Sequence, residues 1–113
     1  MLTEYTLYRE NGTITHGVVE FPEVPTYEDL SRVITPLLGV DWHEFEHVRV
    51  WDEGQYRDMF VQENGFALGL PRNEHATKIY RANVLAHVKP TPDPESLDEI
   101  VGPAVLFKAK VWF

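Results

Sequence analysis

The dipeptide Asn11-Gly12 constrains the fold of this chain more than any other feature. It lies between residues 3–9 and residues 13–21, two stretches that are rich in Tyr, Thr, Val, Ile and Phe. β-branched and aromatic residues favour strands, and Asn-Gly readily adopts the left-handed backbone conformations of a tight turn. The sequence therefore predicts that the chain begins with a β-hairpin.

Two helices are predicted after this hairpin. Thr26 is a suitable N-cap for the first helix, Asp29 stands at the capping-box position, and Gly39 follows the last apolar residue. A second helix is predicted to begin at Asn73, because the apolar residues that follow it recur at helical spacing.

Further strands are predicted at residues 45–51 and 56–61, where apolar and polar residues alternate around a turn, and at residues 104–113. The alternation places Phe45, His47, Arg49 and Trp51 on one face of the first of these strands. Residues 66–68 are a candidate for one additional strand, which is given in parentheses in the element order below. The element order β-β-α-β-β-(β)-α-β is typical of an α+β domain. We therefore expect a single domain over residues 1–113, with one mostly antiparallel sheet of about five to six strands and two helices packed on one face of it.

Composition narrows the chemistry that is open to the chain. Its 113 residues contain no cysteine, so disulfides, thiolate nucleophiles and cysteine-ligated metals are excluded. The N-terminal residues lack the features of a signal peptide, and no apolar run reaches the length of a transmembrane helix. The sequence predicts a cytoplasmic protein with no membrane partner.

The chain carries a net charge of −8, and its acidic residues cluster in residues 41–63 and 93–99. A surface of this kind disfavours direct binding of nucleic acid, which requires clustered Lys and Arg. Two interpretations remain open, because the charge either keeps the surface solvated or imitates nucleic acid and occupies a basic site on another protein. In the second case the carboxylates that matter are those of Asp52, Glu53, Asp98 and Glu99.

The string His43-Glu44-Phe45-Glu46-His47 matches the H-E-x-x-H signature of zinc peptidases. That signature needs both histidines one turn apart on a helix, so that they reach one ion. The alternating pattern from Phe45 onward instead predicts a strand, in which two residues at this spacing lie about 13 Å apart. We therefore predict no metal, no cofactor and no catalytic residue, and keep a zinc-dependent hydrolase that uses His43, Glu44 and His47 as a third hypothesis.

Residues 63–77 read ENGFALGLPRNEHAT, and residues 100–106 read IVGPAVL. Both segments resemble domain-of-unknown-function family 3846, whose pattern runs N-x-G, G-L-P-x-N-x-x-A-T and then I-V-G before a hydrophobic strand. The resemblance covers about residues 46–107. It implies an origin in phages, plasmids or bacterial genomes, and it supplies no reaction.

Exposed aromatic residues among charges are typical of protein interfaces. The predicted strands place more aromatic side chains on their faces than one core accommodates. We therefore expect a small non-enzymatic interaction protein of phage or mobile-element type, which binds a protein partner or a second copy of the chain. Trp51, Arg72 and Trp112 are the residues predicted for its interaction surface. The alternative is a nucleic-acid mimic that inhibits a host DNA-handling or defence protein.

Overall fold

A computed structural model describes residues 1–40, 44–52, 54–87, 89–90, 92–93 and 97–113. Within them the chain forms the strands β1 (Leu2–Tyr8), β2 (Ile14–Glu20), β3 (Phe45–Asp52), β4 (Gln55–Gln62) and β5 (Ala104–Phe107). The helices are α1 (Tyr27–Leu38) and α2 (Glu74–His87). The predicted α+β fold class is confirmed, with one antiparallel sheet in the strand order β2-β1-β5-β4-β3.

The N-terminal hairpin forms as predicted. β1 pairs with β2 along its whole length, from Leu2 opposite Glu20 to Tyr8 opposite Ile14. Gly12 has a φ of 89° in the turn, a backbone conformation that costs glycine little and most other residues much more.

Two details of the predicted strands differ from the structure. Residues 66–68 belong to a turn rather than a strand, and the turn is closed by a hydrogen bond from the Leu70 N–H to the Gly65 carbonyl at 3.0 Å. The last strand ends at Phe107 and does not continue to residue 113. Beyond it the Lys108 N–H still donates to the Glu4 carbonyl of β1 at 2.9 Å. The following N–H groups of Ala109, Val111 and Trp112 donate to side chains instead of a neighbouring strand.

The prediction that both helices pack on one face of the sheet is wrong. Ile34 of α1 packs in a core cluster with Phe60, whereas Ala76 of α2 packs in a second cluster with Met59. Met59 and Phe60 are adjacent in β4 and point to opposite faces, so the helices cover opposite faces. The physical reason is that all four residues of β5 are buried. A strand that is covered on both faces is apolar throughout rather than alternating.

Asn73 is the predicted N-cap of α2, and it also joins this helix to the sheet. Its Oδ1 accepts the Ala76 N–H at 3.1 Å. Its Nδ2 donates to the carbonyl oxygens of Tyr8 at 2.9 Å and Gly102 at 2.8 Å. The buried amide therefore fixes the start of α2 against β1 and the turn before β5.

The first turn of α1 contains the predicted capping box. The Thr26 hydroxyl accepts the Asp29 N–H at 3.2 Å, and the Asp29 carboxylate accepts the Thr26 N–H at 2.9 Å. The hydrogen bonds from the backbone and the hydroxyl of Thr26 hold the pKa of Asp29 below its ordinary value of 3.8. The helix ends at Gly39, which adopts the left-handed conformation with a φ of 67°.

We expect Thr26→Ala to lower the free energy of unfolding by about 1 kcal/mol, because the first turn of α1 loses its capping acceptor. Urea denaturation measures this loss. Thr26→Ser is the control, since it keeps the hydroxyl and should remain as stable as the wild type. Equal midpoints for the alanine and serine variants would show that the cap contributes nothing.

Candidate functional site

The face of the sheet that carries α1 is open near the turn between β3 and β4. His47, Arg49 and Trp51 share this face, as predicted, because alternate residues of a strand point the same way. The pairing of the strands places Asp58 opposite Arg49 and Tyr56 opposite Trp51. α1 packs on β4 and β5 instead, so Trp51 and Tyr56 remain exposed.

The segment that follows β5 crosses this open region and completes the site. The predicted strand ends at Phe107, and farther along the segment backbone N–H groups donate to a carboxylate rather than to a neighbouring strand. Asp58 Oδ2 accepts the N–H of Val111 at 2.8 Å and the N–H of Trp112 at 3.0 Å. Val111 is buried in the core on the α1 side, and the Trp112 ring lies over His47.

These residues enclose a cleft of about 390 Å³, which we term the aromatic cleft. Its described lining combines aromatic rings with charged groups and includes His47, Arg49, Tyr56, Asp58, Lys110, Trp112 and Phe113. Trp51 lies beside the cleft, with its ring edge-on to that of Tyr56 at 4.8 Å between centroids.

His47 and Asp58 form the buried base of the aromatic cleft. His47 Nε2 lies 2.8 Å from Asp58 Oδ1, and the imidazole stacks on Trp112 with 4.8 Å between ring centroids. Burial alone would raise the pKa of Asp58. The hydrogen bonds from His47 and from the backbone N–H groups of Trp112 and Val111 outweigh burial, so this pKa lies below its ordinary value of 3.8. Asp58 is therefore a charged anchor for the segment after β5.

The lowered pKa of Asp58 predicts a loss of stability in acid. A carboxylate whose pKa is lower in the folded chain stabilises the fold above its unfolded pKa, and this contribution is lost as the pH falls through the folded pKa. We expect the free energy of unfolding to decrease between about pH 5 and pH 3, and to decrease less in Asp58→Asn. Urea denaturation across this range provides the measurement. Parallel pH profiles for the two proteins would contradict the role of Asp58.

Two cations lie against aromatic rings of the cleft. The guanidinium carbon of Arg49 is 4.2 Å from the centre of the Tyr56 ring, and Lys110 Nζ is 4.8 Å from the centre of the Phe113 ring. Within the described ranges, neither cation has a carboxylate partner. Among the described side chains that line the cleft, these two cations outnumber the single carboxylate, that of Asp58, although the chain has a net charge of −8.

The pairing of His47 with Asp58 has the form by which a carboxylate orients an imidazole. In a catalytic triad, such an imidazole activates the hydroxyl of a Ser or Thr, or the thiol of a Cys, within hydrogen-bond reach. The described residues that line the cleft include no Ser, Thr or Cys. In the folded chain both residues contact Trp112, His47 through ring stacking and Asp58 through the backbone N–H.

The H-E-x-x-H string does not form a zinc-binding helix. Phe45, Glu46 and His47 belong to β3, as predicted, and His47 is bound to Asp58. His43 lies outside the residues that the structure describes. Among those that it does describe, no group of three or more His, Asp or Glu side chains comes together to hold a metal ion.

The structure brings together two of the three residues predicted for the interaction surface. Trp112 lines the aromatic cleft, and Trp51 borders it. Arg72 lies elsewhere, in the loop before α2, with its guanidinium 3.1 Å from Glu99 and 3.3 Å from Glu74. The pair with Glu99 joins the loop to the segment that leads into β5, and the pair with Glu74 joins it to the first turn of α2.

The carboxylates named for nucleic-acid mimicry are partly engaged within the fold. Asp52 lies 3.7 Å from Arg57, and Glu99 contacts two arginines. Asp98 is exposed, and Glu53 lies outside the described residues. A carboxylate that is paired with an arginine presents less negative charge to a basic partner. This arrangement therefore does not support nucleic-acid mimicry, which stays a prediction.

Several residues of the aromatic cleft were not predicted from the sequence. His47 and Arg49 could have been included, because they share the predicted strand face of Trp51. Lys110 and Phe113 carried no such signal, since their position depends on the capture of their segment by Asp58.

Comparison with family models, with curated proteins and with solved structures finds no match. The resemblance to domain-of-unknown-function family 3846 therefore stays a prediction. In the part of the chain that the structure covers, neither helix is long and apolar enough to cross a membrane. The function is accordingly argued from the aromatic cleft itself.

Proposed function

We propose that the protein is a non-enzymatic interaction module that binds an acidic segment of a partner protein in the aromatic cleft. The observation that carries this proposal is a group of exposed aromatic rings beside cations on one face of the sheet. Trp51, Tyr56, Trp112 and Phe113 are 40%, 46%, 37% and 62% exposed. Trp, Tyr and Arg are the residues that most often dominate the binding free energy of protein interfaces.

The aromatic rings are held in position before any partner binds. Trp112 is fixed by its backbone hydrogen bond to Asp58 and by stacking on His47. Tyr56 is held between the guanidinium of Arg49 and the ring of Trp51. A surface whose side chains are already ordered loses less conformational entropy on binding, so more of the contact free energy appears as affinity.

Charge favours an acidic partner. Arg49 and Lys110 have no carboxylate partner in the described ranges, whereas the chain as a whole is strongly acidic. An acidic segment is attracted to the cleft and repelled elsewhere, which favours one site and one orientation of binding. The rings of Trp112 and Phe113 offer contact area for an aromatic or aliphatic side chain of the same segment. The phage or mobile-element origin implied by the family resemblance is part of this proposal and makes a host protein the expected partner.

Selection from a library of short random peptides tests this proposal without a known partner. The immobilised protein is expected to enrich peptides that carry Asp or Glu beside an aromatic or aliphatic residue. Titration of an enriched peptide should show that Trp112→Ala or Arg49→Ala weakens binding at least about tenfold, which corresponds to about 1.4 kcal/mol. Phe66→Ala is the matched control, because Phe66 is a 67% exposed aromatic residue outside the cleft.

Two results would contradict the proposal. One is equal enrichment of peptides that lack acidic residues. The other is binding that Phe66→Ala abolishes and that Trp112→Ala leaves unchanged. Circular dichroism of each variant distinguishes a lost contact from a lost fold. Binding should also weaken as salt is added, since exposed charges are screened at high ionic strength.

A further inference from the structure

The two edges of the sheet are not equally protected against pairing with another strand. At the β3 edge, Asn83 of α2 accepts the Trp51 N–H at 2.8 Å and donates to the Arg49 carbonyl at 3.4 Å. A side chain therefore occupies two of the backbone groups that another strand would use. At the β2 edge, residues 14–20 contain no Lys, Arg or Pro, which commonly protect edge strands. β2 is thus the edge that stays open to a further strand.

The hydrogen bonds of the first hairpin show which backbone groups of β2 point outward. The Met1 amino group donates to the Phe21 carbonyl at 2.8 Å, and the Phe21 N–H donates to the Met1 carbonyl at 2.9 Å. Hydrogen-bonded and non-hydrogen-bonded pairs alternate in antiparallel strands. His16, Val18 and Glu20 therefore direct their N–H and C=O groups away from the sheet, and no described residue bonds to those groups.

The side chains of the same three residues lie on the α2 side of the sheet, at the end that α2 does not cover. α2 packs against β3, at the other edge. Val18 is 57% exposed as a result. On the opposite side of β2, the Tyr5 ring covers Gly17, where an added Cβ would overlap that ring. The Tyr5 ring therefore keeps β2 packed at Gly17, the one residue of the strand that has no side chain.

We propose that β2 pairs with β2 of a second copy of this chain, antiparallel and centred on Val18, so that the two sheets become one. In this register the two Val18 side chains meet at the centre, and His16 of each copy lies opposite Glu20 of the other. Apolar pairs and hydrogen-bonded polar pairs across strands stabilise their pairing. Centring the contact on residue 16 or 20 would instead place like residues, His against His or Glu against Glu, in direct opposition.

His16 is already oriented for this contact. Its Nδ1 lies 3.1 Å from the Thr6 hydroxyl of β1. When that hydroxyl donates to Nδ1, the Nε2–H is available to donate to the Glu20 carboxylate of the other copy. Pro22 has no N–H to donate, so the pairing ends at the end of β2.

This contact leaves the aromatic cleft accessible, because β2 and β3 are the opposite edges of the sheet. The joined sheet carries one cleft near each of its ends. A partner with two acidic segments would gain avidity from such a pair of sites. The pairing of β2 does not depend on what the cleft binds, and each proposal fails or holds separately.

A single introduced cysteine reports the register directly, since the chain has no cysteine of its own. Val18→Cys should form an intermolecular disulfide under mild oxidation, because a hydrogen-bonded antiparallel pair places its Cα atoms about 5.5 Å apart. Ile14→Cys is the matched control on the same face of the same strand. Its two thiols would lie about 27 Å apart along the strands and should not cross-link.

Sedimentation velocity measures the assembly without cross-linking. The wild type is expected to be a dimer and Val18→Lys a monomer, because two ammonium groups would face each other at the centre. Val24→Lys changes a similarly exposed valine outside the sheet and should leave the dimer intact. His16→Glu should raise the dimer Kd at least about tenfold, and adding Glu20→Lys should reverse this effect.

Three outcomes would overturn the proposed pairing. They are a wild type that stays monomeric at every concentration, a dimer that Val18→Lys leaves unchanged, and cross-linking of Ile14→Cys as readily as Val18→Cys. Because Val18 and Ile14 are exposed, their substitution should not affect folding, and circular dichroism verifies this.

Discussion

Replacing Phe107 with alanine is expected to lower the free energy of unfolding by about 4 kcal/mol. Phe107 is fully buried on β5, the central strand of the sheet. Its ring centroid lies 5.6 Å from that of Phe21 and 5.8 Å from that of Phe60. Removing the ring leaves a cavity between the sheet and α1 that close-packed neighbours fill only partly. Since small domains are stable by about 5–15 kcal/mol, much of the total would be lost.

Urea denaturation followed by circular dichroism measures this loss. Phe66→Ala is the matched control, because it removes the same side chain from an exposed turn, where a loss below about 0.5 kcal/mol is expected. If Phe107→Ala stayed within about 1 kcal/mol of the wild type, β5 could not be the strand around which the core on the α1 side is packed.

A loss of about 3 kcal/mol is expected when Asp58 is replaced with alanine. The buried N–H of Val111, the N–H of Trp112 and the imidazole of His47 all lose their acceptor. A buried donor without an acceptor keeps the full cost of its desolvation. The segment after β5 should then detach, and Trp112 should leave the imidazole on which it stacks.

Glu46→Ala is the control for Asp58→Ala, because it removes an exposed carboxylate from the neighbouring strand. Asp58→Asn should give an intermediate loss, since its amide keeps one acceptor oxygen. Tryptophan fluorescence should shift to longer wavelength in Asp58→Ala as Trp112 becomes solvated. Fluorescence and stability equal to those of Glu46→Ala would show that Asp58 does not anchor the segment.

Short-range signals predicted the elements of the fold. Asn11-Gly12, Thr26 and Gly39 act on residues within a few positions of themselves, so their turn and caps could be identified from the sequence. The placement of the helices on opposite faces of the sheet could not be identified from the sequence. It depends on β5 pairing with both β1 and β4, which are distant in sequence, and on burial of both faces of β5. The sequence of a four-residue apolar strand does not indicate which strands it pairs with.

The aromatic cleft likewise combines features that local patterns predicted with contacts that depend on distant residues. Arg49 and Trp51 share a face of one strand, and that face was predicted from alternation. Trp112 was predicted to lie on the interaction surface, but the stacking of its ring on His47 was not predicted. That stacking depends on hydrogen bonds between Asp58 and a backbone more than fifty residues away in sequence. No local pattern distinguishes such a carboxylate from one that faces solvent.

The amide chemical shifts of isotope-labelled protein, titrated with an acidic peptide from the proposed selection, test the central claim most directly. That claim is that the aromatic cleft is the binding surface. The largest changes are predicted in residues 47–51, 56–58 and 110–113, together with the indole N–H groups of Trp51 and Trp112. Residues 64–69 should remain unchanged, although they also expose apolar side chains. Changes that concentrate in residues 64–69 and leave the cleft unaffected would contradict the claim.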